Sequence, residues 1–167
     1  NNHHHQLNLL KNNDVNFVYS IPEKFYMDGR KKTEDHKCVS GKILEFIGKS
    51  NEFRAPFDMN SFIIKKKILE KYNIFFPEGF KISEDICFFM KILCVTEGYG
   101  INKRLTFYRQ HSNSATKKKW IPEEWISTVL IDDEVFPYIE KYYPDAYQTF
   151  YNVHNYRVYR FILATVK

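Results

Sequence analysis

Two acidic side chains at the start of an apolar stretch are the first candidates for chemistry. Ser83 is followed by Glu84 and Asp85, and apolar residues then recur at helical spacing. A carboxylate in the first turn of a buried helix is rigidly held and can act as a general base on a hydroxyl nucleophile. Serine followed by acids is also an ordinary helix start, because the helix dipole favours negative charge there. The pattern alone leaves both interpretations open.

A second polar segment follows about one helix and one strand later. Arg109 and His111 are two residues apart near the end of a predicted strand, so they lie on the same face of it. Two side chains that can carry positive charge favour an anion site, and a histidine can also ligate a metal. The lysines at 117–119 can close over phosphates. A lone histidine and a run of lysines are also common on ordinary surfaces.

The length and composition limit the classes of protein to which the chain can belong. The chain has 167 residues, of which 44% are hydrophobic, so it fits one domain or a large piece of one. Its net charge of +5 favours phosphate-bearing partners or an anionic membrane surface, although a solvated lysine-rich surface explains it as well. Three cysteines without a C-x-x-C spacing argue against a disulfide framework or a zinc site and fit a reducing cytoplasm. The start Asn1–His5 is interpreted as a tag remnant or an internal fragment boundary.

The elements that would position these residues form an α/β pattern. Ser83 is the predicted N-cap of the buried helix, and Pro137 is expected to break or kink a later helix because it lacks an N–H. The predicted elements are, in order, a helix over 6–13, a strand over 15–21 ended by Pro22, a loop over 23–37, a short helix over 39–46, a helix over 62–72, the buried helix closed by Gly98 and Gly100, a strand over 101–111, and helices after Pro122.

The order and spacing of several short motifs resemble those of family 2 glycosyltransferases of the GT-A fold, especially bacterial enzymes of surface polysaccharide synthesis. The resemblance covers about residues 53–116. The motifs are Ser61–Leu69, Phe76–Gly79, Ser83–Asp85 with Phe88 and Phe89, Leu105–His111 and Asn113–Thr116. It implies an incomplete GT-A domain over residues 1–119 that lacks its N-terminal nucleotide-binding half, followed by a helical C-terminal extension over residues 120–167.

The resemblance also implies roles for individual residues. Asp85 matches the catalytic base of inverting members, which deprotonates an acceptor hydroxyl, and Glu84 matches the neighbour that shapes the acceptor pocket. His111 lies where some members place a metal or diphosphate contact. Residues that would contact the donor or its diphosphate are Arg109, Ser114 and Lys117. The implied substrates are a nucleotide-sugar donor and a glycan or lipid-linked acceptor.

One family motif is absent from the sequence. No Asp-x-Asp occurs, although this motif holds Mg²⁺ or Mn²⁺ against the diphosphate in the family. Hard divalent cations need several oxygen ligands, so the main ligands are expected in the missing half. The chain alone is therefore expected to be inactive. A cytoplasmic location is expected, with peripheral contact at the inner face of the membrane as a further option.

The main alternative is a non-catalytic module that binds an anionic partner through a basic, aromatic surface. The segment 156–163 combines aromatic, basic and apolar residues, as interfacial helices do, although a helix packed on the domain has the same composition. Nucleic acid is not an expected partner, because no recognition helix, RNP-like motif or zinc finger is found.

Overall fold

The protein has a mixed α/β structure, as the sequence predicts. The computed structural model describes residues 2–12, 15–33, 37–45, 58–111 and 126–165. Its elements are α1 (Asn2–Asn12), β1 (Phe17–Tyr26), β2 (Lys31–Thr33), β3 (Phe62–Ile64), α2 (Lys66–Tyr72), α3 (Glu84–Val95), β4 (Gly98–Gln110), α4 (Ser127–Tyr142), a 3-10 turn (Pro144–Ala146) and α5 (Tyr147–Thr165).

The chain divides into two compact units. The sheet unit comprises Asn1–Ile43, Ala55–Ile68 and Thr96–Lys119, and the helical unit comprises Leu44–Arg54, Leu69–Val95 and Trp120–Lys167. The predicted domain boundary between residues 119 and 120 lies outside the described residues.

The sheet unit is built around β1. Strand β4 runs parallel to β1 along its length, while β3 and β2 pair antiparallel with residues 17–19 and 23–25 of β1. A strand has only two edges, so β2 and β3 share the edge opposite β4. Helix α1 packs on this sheet through a small apolar cluster. The buried members of the cluster are Leu10, Val18 and Ile101, and Leu9, Val15, Ile63 and Leu105 pack against them.

Strand β1 extends beyond Pro22, which is its predicted end. The prediction that this proline ends the strand is wrong, because β1 continues through it to Tyr26. Pro22 has no N–H for the ladder, and the pairing with β4 shifts register on both sides of Ile21. The predicted loop over 23–37 instead contains the end of β1 and all of β2. Gly29, with φ of 84°, forms the turn between them.

Two further boundaries differ from the prediction. Residues 62–64 are a strand rather than the first turn of a helix, because β-branched Ile63 and Ile64 pair with β1. Gly98 and Gly100 belong to β4 and do not close the preceding helix, which ends at Val95. Of the short helix predicted over 39–46, the described part is helical at residues 43–45.

The helical unit is built on α3. All residues from 87 to 94 are buried, which agrees with the predicted helix that is apolar on most sides. Helix α4 contributes a buried stripe at Ile131, Val135 and Ile139, four residues apart. Pro137 lies within α4, which runs from Ser127 to Tyr142, so the proline does not break this helix, and the kink stays a prediction.

Candidate functional site

The backbone at Ser83 has an unusual conformation immediately before the two candidate carboxylates. Its φ is 65°, and its carbonyl accepts a hydrogen bond from the N–H of Cys87 at 3.0 Å. Ser83 therefore occupies the predicted N-cap position, but its hydroxyl caps no N–H among the residues described. A left-handed conformation costs a non-glycine residue about 1–2 kcal/mol, and such strain is concentrated at functional sites.

Asp85 is held in the first turn of α3. Its Oδ1 accepts a hydrogen bond from the N–H of Ile86 at 2.7 Å, which fixes the carboxylate against the helix backbone. Glu84 and Asp85 are both half-buried. Within the described part of the chain, neither forms an ion pair. Two carboxylates therefore stand at the start of a buried helix, and among the described residues none forms a hydrogen bond with the second oxygen of Asp85.

The candidate cationic residues lie at the end of β4. Arg109 and His111 are both exposed, and Arg109 lies in β4, whereas His111 is the first residue after it. The strand therefore ends one residue earlier than predicted, and strand alternation does not fix the side of His111. These residues belong to the sheet unit, whereas Glu84 and Asp85 belong to the helical unit.

The remaining predicted contacts lie outside the described residues. Ser114 and Lys117 fall in residues 112–125, whose placement is not described. Their role against a donor diphosphate stays a prediction from the resemblance.

The described residues do not form a group that could hold a divalent metal ion. In the segments with a described structure, no group of three or more His, Cys, Asp or Glu side chains is arranged to hold a metal ion. Mg²⁺ and Mn²⁺ prefer oxygen ligands, and His111 supplies one nitrogen. The expected divalent metal and its main ligands therefore stay a prediction from the resemblance.

The cysteines are not suited to act as nucleophiles. Burial raises the pKa of Cys38 to about 11 and that of Cys94 to about 12. Burial also raises the pKa of Cys87 to about 11, with Lys91 opposing the rise and Glu134 adding to it. Because the thiolate is the reactive form, these thiols are inert near neutral pH.

A cleft in the helical unit was not predicted from the sequence. Its volume is about 460 Å³, and its lining includes Phe75, Phe76, Glu78, Lys91, Asp133 and Glu134. Lys91 is only 5% exposed and forms an ion pair with Glu134. The local signal in the sequence is limited to Asp133, Glu134 and Tyr138 in α4, where the tyrosine lies about one helical turn after the two acids. The partners from α3 and from the segment after α2 depend on tertiary packing.

Comparisons with known proteins add no family assignment. No protein-family description matches the chain, and neither the curated proteins nor the solved structures give a match. In the described segments, no helix combines the length and apolarity needed to cross a bilayer.

Proposed function

We propose that this chain is the acceptor-side part of an inverting glycosyltransferase related to family 2 of the GT-A fold. The proposal combines the motif order from Ser61 to Thr116 with the geometry at the start of α3. In this proposal residues 1–119 belong to the GT-A domain, residues 120–167 are its helical extension, and the nucleotide-binding half is supplied by sequence outside these residues.

The observation that carries the proposal is the strained backbone at Ser83. Its left-handed φ precedes two half-buried carboxylates on a helix whose following turns are fully buried. A base must be held rigidly within hydrogen-bond reach of the proton that it removes, and a buried helix provides that rigidity. Residues held in such a conformation are found more often at functional sites, which supports the proposal.

The proposed reaction step assigns one proton to Asp85. The acceptor hydroxyl attacks the anomeric carbon, its O–H proton passes to Oδ2 of Asp85, and a new carbon–oxygen bond forms. The bond from the anomeric carbon to the diphosphate oxygen breaks, and the nucleoside diphosphate leaves with the bonding electrons. Attack from the opposite face inverts the anomeric configuration. Glu84 orients the acceptor hydroxyl in this account.

The proposed donor contacts follow from the resemblance. Arg109, Ser114 and Lys117 would contact the donor diphosphate, with His111 as a further diphosphate or metal contact. The Mg²⁺ or Mn²⁺ of the family would take its main ligands from outside this chain. The acceptor would be a glycan or a lipid-linked glycan of a bacterial surface polysaccharide, and the enzyme would work in the cytoplasm or at the inner face of the membrane.

The proposal is tested by the Asp85→Asn variant of the natural full-length protein. Asparagine keeps the shape of the side chain but cannot take a proton, so the rate of sugar transfer should fall roughly 10²–10⁴-fold. Donor binding should be retained. Release of nucleoside diphosphate from a panel of nucleotide sugars measures the rate, and calorimetry measures donor binding.

The matched control is Asp145→Asn. Asp145 is an exposed acid of the helical unit and lies in the turn before α5. This variant should transfer sugar at the wild-type rate. If Asp85→Asn also transfers at that rate, Asp85 is not the base, and the assignment of the site fails.

A second candidate function is suggested by the exposed aromatic residues of α5. Tyr151, Tyr156 and Tyr159 are 43%, 55% and 57% exposed, and residues 147–167 contain three basic residues and no acidic ones. This composition favours a non-catalytic module that binds an anionic membrane surface. The chain should then co-sediment with vesicles of phosphatidylglycerol. The double variant Tyr156→Ser with Tyr159→Ser should no longer co-sediment with them. Equal sedimentation of the variant would exclude α5 as the contact.

A further inference from the structure

The net positive charge of the chain is concentrated at one end of the sheet unit. There the second half of β1 pairs with β2 on one side and with β4 on the other. Residues 23–33 and 103–110, the basic end of the sheet, contain seven basic and two acidic residues. This excess of five equals the net charge of the whole chain, so the rest of the chain is balanced. The basic residues are half-buried Lys24 and the exposed Arg30, Lys31, Lys32, Lys103, Arg104 and Arg109.

The two acids of the basic end are paired within it. Glu23 is buried, and its carboxylate lies 3.0 Å from the ammonium group of Lys31. The carboxylate of Asp28 lies 2.7 Å from the guanidinium group of Arg30. These pairs neutralise two of the seven basic residues, so the basic end keeps a net positive charge that attracts anions.

An apolar side chain stands exposed in the turn between β1 and β2. Met27 is 76% exposed, more than any other large hydrophobic residue among those described. The turn is ordered, because the N–H of Tyr26 donates to the carbonyl of Arg30 at 2.9 Å and the N–H of Gly29 donates to the carbonyl of Tyr26 at 3.0 Å. The Arg30 guanidinium group also lies 5.1 Å from the centroid of the Tyr26 ring. The fold therefore holds Met27 in solvent, where an apolar side chain gains nothing.

A second exposed apolar residue lies on the neighbouring strand. Phe107 in β4 is 54% exposed and is the register partner of Glu23 in β1. Two residues further along, Arg109 is the partner of Phe25. Paired strands lie about 5 Å apart, so the aromatic and basic residues of β4 adjoin those of β1. The basic end thus combines cations with exposed apolar groups.

This combination fits an anionic lipid bilayer better than it fits a nucleic acid. A bilayer offers an anionic headgroup layer that attracts lysine and arginine, and beneath it an apolar layer that takes up an exposed methionine. A nucleic acid offers phosphates to cations and bases to aromatic rings, but it has no apolar layer for Met27. The most exposed apolar side chain of the surface therefore favours the bilayer.

We infer that the basic end of the sheet docks on an anionic lipid bilayer, with Met27 entering the boundary between headgroups and acyl chains. The basic side chains contact the headgroups, and Phe107 adds apolar contact. This surface lies wholly in the sheet unit, whereas the α5 surface of the second candidate function belongs to the helical unit. Docking needs neither a sugar donor nor an acceptor, so it is tested separately from the proposed sugar transfer.

The test is co-sedimentation of the chain with vesicles of phosphatidylglycerol, and vesicles of phosphatidylcholine are the neutral comparator. The chain should bind the anionic vesicles at least tenfold more tightly. Binding should weaken between about 0.05 M and 0.5 M salt, because salt screens exposed charges. A single-stranded oligonucleotide at equal phosphate concentration should not displace the chain from the vesicles. Displacement would identify nucleic acid as the preferred partner and overturn the inference.

Two variants separate the apolar and the charged contributions. Met27→Ser should weaken binding to the anionic vesicles about tenfold, because it removes the inserted apolar side chain. Lys31→Gln with Lys32→Gln should weaken it at least tenfold, because two cations near the headgroups are lost. Both changes lie at exposed positions, and circular dichroism checks that the variants are folded.

The matched controls remove the same groups elsewhere in the sheet unit. Met59→Ser replaces a methionine that is 38% exposed, and Lys66→Gln with Lys67→Gln removes two exposed lysines. Both controls should bind the vesicles as the wild type does.

The double variant Tyr156→Ser with Tyr159→Ser distinguishes the basic end from α5. If the basic end is the docking surface, this variant should keep its affinity for the anionic vesicles. Absence of binding by the wild type, equal binding to phosphatidylcholine, or an unchanged affinity of either basic-end variant would each overturn the inference. Loss of binding in the α5 variant would assign the contact to the helical unit and overturn it as well.

Discussion

At the scale of single residues, the carboxylates of α3 are placed by a backbone that a serine does not favour. Ser83 has a φ of 65°, and its side chain contributes no described capping bond. The hydrogen bond from Ile86 to Asp85 replaces the expected cap as the polar contact of the first turn. The local sequence predicts where α3 begins, but the left-handed conformation depends on the chain before it and is not visible in the pattern.

The strain at Ser83 predicts the effect of a glycine there. Glycine adopts a positive φ without a steric penalty, which removes about 1–2 kcal/mol of strain, while its greater freedom in the unfolded chain offsets about half of that. Ser83→Gly should therefore raise the free energy of unfolding by roughly 0.5 kcal/mol. Urea denaturation measures this. Ser83→Val should lower stability instead, and equal stability of the two variants would show that the residue is not strained.

The buried thiols predict a loss of stability in alkaline solution. Burial raises the pKa of Cys87 to about 11 and that of Cys94 to about 12, whereas a thiol in the unfolded chain ionises near pH 8.5. Between these values the unfolded chain loses protons that the folded chain retains, so the free energy of unfolding falls as the pH rises. Urea denaturation from about pH 8 to pH 11 should show this decline.

The control for the thiols is the double variant Cys87→Ala with Cys94→Ala. It is less stable overall because it leaves cavities. Its stability should nevertheless depend less steeply on pH than that of the wild type over the same range. An identical slope in both proteins would mean that these thiols do not set the alkaline limit.

At the scale of elements, the sequence predicts most helices and mislocates several strand boundaries. Helix α3 was predicted because its apolar residues repeat locally and it is buried on most sides. Strands β2 and β3 were missed because three-residue strands carry almost no periodic signal and exist only through pairing with β1. Pro22 predicts the end of a strand, but β1 continues through it, with a shift of register in the β1–β4 pair next to the proline.

Gly100, near the start of β4, lies too close to neighbouring residues to carry a side chain. A Cβ added at Gly100 would lie 2.5 Å from the Cβ of Cys38 and 2.5 Å from the carbonyl oxygen of Val39. That carbonyl accepts a hydrogen bond from the Tyr19 hydroxyl at 2.7 Å. Gly100→Ala must therefore displace backbone in the sheet unit and should destabilise the protein by about 1–3 kcal/mol.

Thermal denaturation measures this change. The control Gly29→Asn lies at an open turn with a φ of 84°, where asparagine is tolerated, so its transition should stay near that of the wild type. A Gly100→Ala protein as stable as the wild type would mean that the sheet does not require this close approach.

At the scale of the whole molecule, the helical unit brings together distant parts of the sequence. It contains α3 and α4, whose residues are separated by the end of the sheet unit in the chain. Such long-range packing has no local signal, and for that reason the cleft with its Lys91–Glu134 ion pair was not predicted. The carboxylates at 84 and 85 were predicted because their placement needs only the start of one helix.

The chain also shows opposite charge at different scales. Its net charge is +5, which favours anionic partners, while the cleft in the helical unit has an excess of carboxylates.

The central claim is that Asp85, rather than its neighbour, removes the proton during sugar transfer. The most direct test compares single-turnover transfer rates of Asp85→Asn and Glu84→Gln in the natural full-length protein, with bound donor and saturating acceptor. Asp85→Asn should slow the chemical step about 10²–10⁴-fold, whereas Glu84→Gln should mainly weaken acceptor binding and keep the rate within about tenfold of the wild type. A wild-type rate for Asp85→Asn, or a larger loss for Glu84→Gln, would contradict the account.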